Sequence, residues 1–124
     1  GLKEVQDTKT GGWFMVVDKG DNPLNFVDPS GTAMFVYSIQ RGVELGLLKA
    51  KEYTPVAYRG YQSLFPFIQV NDRGLLDVIG ACDGVVIKKN FIEYVTVPKI
   101  LNAKEAVAGI LWAAVIMETE QLKK

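Results

Sequence analysis

Between Asn102 and Met117 the chain is apolar on two faces at once. Ala103, Val107, Ile110, Ala114 and Met117 recur at helical spacing along one side, and Leu111 and Val115 fall on another. A helix of this kind needs neighbours on both sides, which few small folds provide. Its apolar core from Ala106 to Met117 is shorter than the roughly 18 residues that cross a membrane. It is therefore read as a buried helix, and a membrane is set aside as a partner. Asn102 with Glu105 three residues on has capping-box spacing, with asparagine as the cap.

Two further helices are legible. One runs from about Ser30, as its N-cap, to Leu47, with Ala33, Val36, Ile39, Val43 and Leu47 on one face and Gly46 at its end. The other starts with Thr54 as cap and Pro55 at the first helical position. Its stripe is Ala57, Tyr61, Leu64, Phe65 and Ile68, cut short by Pro66. Between this helix and Asn102, the glycines 74, 80 and 84 separate short β-branched runs, Val85-Val86-Ile87 and Tyr94-Val95-Thr96-Val97, which predict short strands in irregular loops. Near the start, Leu2-Lys3-Glu4-Val5 reads as the tail of a helix. Thr8 to Gly12 is a turn, Trp13 to Val17 a short extended run, and Asp18 to Asp28 a polar loop. Residues 1–124 are read as one domain, whose long loops line a functional face and hint at a piece of something larger.

Charge and composition remove several functions. The 14 basic residues balance 14 acidic ones, which is not the basic excess that phosphate neutralisation requires, so no nucleic-acid partner is expected. There is no histidine and only one cysteine, Cys82. Ser-His-Asp and Cys-His catalysis are thereby excluded, and neither a zinc site nor any other metal or cofactor is expected. Any chemistry rests on carboxylates, tyrosines, lysines or the lone thiol. No signal peptide is visible, and the cysteine usage leaves cytoplasm and periplasm both open.

Three stretches, taken together, resemble a known family. They are Gly11-Gly12-Trp13-Phe14-Met15-Val16-Val17-Asp18, then Asp28-Pro29-Ser30-Gly31-Thr32-Ala33-Met34-Phe35-Val36-Tyr37, then Gly80-Ala81-Cys82, followed by the helix Asn102-Ala103-Lys104-Glu105-Ala106-Val107-Ala108. In this order and spacing they are similar to the C-terminal part of the unsaturated rhamnogalacturonyl hydrolases, glycoside hydrolase family 105, and to the related unsaturated glucuronyl hydrolases. The run Ser30 to Tyr37 is the most specific piece. The resemblance spans nearly the whole chain but only about the last third of the family's domain.

That resemblance implies an all-α fold: the final helical hairpins of an (α/α)6 toroid, with short β-hairpins in the loops. It implies an oligosaccharide partner bearing a 4,5-unsaturated uronic acid, derived from pectin or rhamnogalacturonan. In the family an aspartate hydrates the enol-ether double bond, and the resulting hemiketal collapses to release the sugar; such an acid needs placement and a raised pKa. No stretch here matches the motif that carries this aspartate. The family's Asn-Asp-x-x-Gly pattern is also replaced by Asn102-Ala103-Lys104-Glu105-Ala106.

Carried over by residue, the resemblance sets Trp13 near the sugar, where an indole face stacks on a pyranose. It sets Ser30 and Thr32 at a helix N-terminus whose free amides hold a carboxylate. Each has a plainer reading beside it: Trp13 as a core anchor, Ser30 as a cap, Thr32 as a first-turn residue. Asp28 likewise reads as a dipole-stabilising residue and Cys82 as an inert buried thiol. Three functions follow. The chain is a truncated or split hydrolase, inactive alone and completed by a missing N-terminal half; or a small non-catalytic carbohydrate-binding or oligomerising helical module; or a hydrolase built on Asp18, Asp28 or Asp83. Because a partial toroid exposes apolar helix faces, a homo-oligomer is expected.

Overall fold

The computed structural model describes residues 1–123. Four α-helices carry it: α1 (Pro29–Glu44), α2 (Ala50–Gln62), the short α3 (Phe91–Val95) and α4 (Lys104–Leu122). Two small antiparallel pairs interrupt them. Strands β1 (Ile68–Val70) and β2 (Leu76–Val78) form a hairpin with Ile68 opposite Val78; β3 (Ala81–Cys82) pairs with β4 (Lys99–Ile100). The all-α class with short hairpins in the loops is therefore what the sequence expressed.

Helix α1 is the centre. Pro29 occupies its first turn, and the Asp28 carboxylate accepts from the Ser30 and Gly31 amides at 3.1 and 3.0 Å. Asp28, not Ser30, is thus the cap: an ionised carboxylate answers the helix dipole as well as its orphan amides. The helix ends at Glu44, three residues before the expected Leu47. There Gly46 turns left-handed (φ 73°), and the Gly46 and Leu47 amides donate back to the carbonyls of Val43 and Gly42. Ala33, Val36, Ile39 and Gln40 are buried between α2 and α4.

The other helix starts also moved. Helix α2 begins at Ala50, and Thr54-Pro55 lies inside it. Pro55 is the sixth residue of α2 and leaves the Lys51 carbonyl without its helical partner, yet the helix runs through it with Val56 and Ala57 buried, so tertiary packing overrides the start signal. Helix α4 begins after Ala103, not Asn102. Asn102 sits at φ 55°, and its side chain accepts from the Val78 amide at 2.7 Å and donates to Asp77 at 2.9 Å. That asparagine ties the hairpin to the helix, and no capping box forms. Tyr94-Val95 is helical, not extended, because the Asn90 side chain accepts from the Glu93 amide at 3.0 Å and caps α3. Val85-Val86-Ile87 forms no strand, and the run after Trp13 contributes a single bridge, Phe14 to Val27. Leu2–Val5 is a 3-10 turn.

Helix α4 buries Ala106, Gly109, Ile110, Ala113, Ile116 and Met117. The small members let it approach α1 closely: a Cβ on Gly109 would lie 3.2 Å from that of Ala33. Leu111, Trp112 and Val115 on its other side are exposed. The expectation of two apolar faces holds, but within this chain only one is covered.

Candidate functional site

The loop Gly11-Gly12-Trp13 is wedged into the junction of α1 and α2. Gly11 is left-handed (φ 85°) and its Cβ would lie 2.6 Å from the Arg59 carbonyl oxygen; one on Gly12 would meet Val27 at 2.5 Å. Only glycine fits either place. Trp13 follows with 1% of its surface exposed, edge-on to Phe35 at 5.6 Å, its Nε1 donating to the Leu2 carbonyl at 2.8 Å. Its ring is a core anchor, and no face of it is open to a sugar in this chain. Thr32 is wholly buried, and its Oγ1 accepts from the Trp13 amide at 3.0 Å. These two residues clamp the loop to the first turn of α1.

Ser30 stands differently. Its hydroxyl donates to the Asp28 carboxylate at 2.9 Å, and it lines a cavity of about 190 Å³. Met15, Asp28, Cys82 and Glu105 share that cavity. Every one of the four sequence stretches that carry the resemblance contributes to it: Met15 from the first, Asp28 and Ser30 from the second, Cys82 from the third, Glu105 from the last. The fold thus brings together segments up to three quarters of the chain apart.

The cavity is lined mainly by apolar groups, Met15, Met34, Val85 and Cys82, among which Asp28, Ser30 and Glu105 are the polar ones. Two helix N-termini, those of α1 and α4, flank it. Asp28 is committed to the first turn of α1. Glu105 has one carboxylate oxygen, Oε2, that is buried without a hydrogen-bond partner. Cys82 is buried, its Sγ directed to the Val97 carbonyl at 3.5 Å, and burial, with the nearby Asp28 charge, pushes the thiol up in pKa. A thiol held protonated is a poor nucleophile. Asp18 and Asp83 are exposed, and Asp83, although it stands between the lining residues Cys82 and Gly84, does not itself line the cavity. Among the described residues no three potential metal ligands converge, and no helix is long and apolar enough to cross a membrane.

Sequence reasoning found Ser30 but missed Met15 and Glu105 as lining residues. Glu105 was legible only as the capping-box partner of Asn102; its direction depends on where α4 starts, one residue later than the Asn102 signal indicated.

The sequence model of Glycosyl Hydrolase Family 88 matches residues 1–121, and the chain belongs to that family. Its structure is similar to that of a family 105 glycoside hydrolase from C. acetobutylicum ATCC 824, with TM-score 0.86 and 28% identity, over 95% of this chain and 34% of that one. A possible family 105 member from Salmonella enterica serovar Paratyphi A shares the fold at TM-score 0.73 and 18% identity, over 95% of this chain and 29% of that one. Among curated proteins it resembles the 24.9 kDa protein in picA locus of Rhizobium radiobacter, 31% identical over 65 residues, 52% of this chain and 28% of that protein. The chain therefore spans about a third or less of each of these relatives, and its fold is part of an (α/α)6 toroid.

Proposed function

We propose that this chain supplies one wall of the sugar site of a glycoside hydrolase toroid acting on unsaturated uronic-acid oligosaccharides from pectin or rhamnogalacturonan. In this reading it is inactive alone, because the catalytic aspartate belongs to the part of the toroid that it does not span. The observation that carries it is the cavity at Ser30, built from all four motif stretches. The Ser30 hydroxyl oxygen and the unpartnered Glu105 Oε2 are the groups suited to accept from sugar hydroxyls, since the Asp28 carboxylate already occupies the first amides of α1. Trp13 and Thr32 act through position, holding the loop that brings Met15 to the cavity. The commitment of Asp28 to its helix, and the exposure of Asp18 and Asp83, weigh against a self-standing carboxylate pair.

Titration with an unsaturated galacturonyl disaccharide, followed by amide NMR, tests this reading. Shifts are expected at Ser30, Gly84 and Glu105, and Ser30→Ala is expected to weaken binding about tenfold, the worth of one hydrogen bond. Saturable shifts centred elsewhere, or none at millimolar sugar, would remove the cavity from the site.

A further inference from the structure

The polar side chains around the Ser30 cavity share one hydrogen-bonding sign. Asp28 has already drawn in the donors beside it, the Ser30 and Gly31 amides and the Ser30 hydroxyl. With its proton committed to Asp28, the Ser30 hydroxyl has only acceptor capacity left for a ligand. The Cys82 thiol likewise spends its proton on the Val97 carbonyl at 3.5 Å. Glu105 Oε2 is buried with no hydrogen-bond partner, and Oε1 would lie 3.7 Å from a Cβ on Gly84, which sets this carboxylate against the Gly84 loop. Among the described residues that line the cavity, none is lysine or arginine. Lys99 pairs opposite Cys82 on β4, but its Nζ lies over the Phe26 ring at 3.9 Å. The first turn of α4 has no side-chain cap, and the acid of that turn is Glu105 itself, whose charge answers the helix dipole.

We propose that Glu105 is a specificity-determining residue of this cavity: it accepts from the hydroxyls of an uncharged sugar ring and turns a uronate carboxylate away. A set of side chains that only accept discriminates by what a ligand donates. Sugar hydroxyls carry protons, so an uncharged ring satisfies both Glu105 and Ser30. A uronate carboxylate at neutral pH has no proton to give. It would leave Glu105 Oε2 unpaired and bring a further negative charge beside those of Glu105 and Asp28. Sites whose buried polar groups are left unpaired by an analogue reject that analogue strongly. The inference rests on the sugar-site reading above and adds which ring of the oligosaccharide meets this wall. The unsaturated uronate itself then sits outside the cavity.

Two disaccharides test it that share the unsaturated galacturonyl ring and differ only in the second ring, galactose in one and galacturonate in the other. In amide NMR titrations of the folded chain at neutral pH, the galactose-bearing sugar is expected to shift Ser30, Gly84 and Glu105. It should bind at least about tenfold more tightly than the galacturonate-bearing one. Glu105→Gln keeps the size and one acceptor oxygen but removes the charge. In that variant, shown folded by circular dichroism, the ratio should fall by about threefold or more, with the remaining preference owed to Asp28. Equal binding of the two sugars, a preference for the galacturonate, or a ratio that Glu105→Gln does not move would overturn the inference and leave the sugar-site reading standing. If neither disaccharide shifts these amides, the sugar-site reading itself falls, and the inference with it.

Discussion

At the scale of single residues, several glycines are explained by what stands against them. Gly60 on α2 is the clearest case: a Cβ there would lie 2.7 Å from both Trp13 Cζ3 and Val36 Cγ2. Gly60→Ala is expected to destabilise the fold by about 1–3 kcal/mol through overpacking, read as a lower urea midpoint. An unchanged midpoint would mean that the Trp13 ring is free to move. Gln40 makes the opposite case. It is wholly buried in α1, and neither its amide nitrogen nor its oxygen has a partner among the described residues. Gln40→Met keeps the volume and removes both polar atoms, so stability should rise by about 1–3 kcal/mol. A loss on this substitution would show that Gln40 is hydrogen-bonded after all.

At the scale of elements, the tie between α2 and α4 is the hydrogen bond from Tyr61 to Glu118. Burial, reinforced by the Glu118 bond and charge, raises the Tyr61 hydroxyl from 10.0 to about 12 in pKa. A raised folded-state value means that the folded chain holds the proton when the unfolded chain has released it. The stabilisation is therefore complete below about pH 10 and is lost as pH climbs towards about 12. Chemical denaturation across that window should show the decline, and Tyr61→Phe should flatten it; an equal decline in the variant would assign it to other groups.

What the sequence disclosed at this scale has a consistent limit. Helix existence was legible for α1, α2 and α4 because apolar spacing reports burial, and burial is what these helices share. Their starts were less legible. Asp28 displaced Ser30 because both are good caps two residues apart, Pro55 was absorbed into α2, and Asn102 serves the β-hairpin instead of its own helix. Helix α3 was read as extended because Tyr94 and Val95 favour strands, while the Asn90 cap that overrides them lay outside the run. Ser30 as a lining residue was visible through resemblance. Glu105 as its neighbour was not, since it depends on how two distant helix N-termini meet.

At the scale of the whole molecule, the chain reproduces about a third of a family 105 fold at TM-score 0.86 while retaining its own continuous core from Trp13 through Met117. That combination underlies the proposal that the chain is a stably packed wall whose cavity at Ser30 contributes to a sugar site, with the catalytic acid outside it. The most direct test follows the ultraviolet absorbance of the unsaturated galacturonyl disaccharide in the presence of the purified, folded chain. The account predicts that the absorbance does not fall. A fall at a rate proportional to protein, abolished by Glu105→Gln or Asp28→Asn, would show a complete active site in these residues and contradict it.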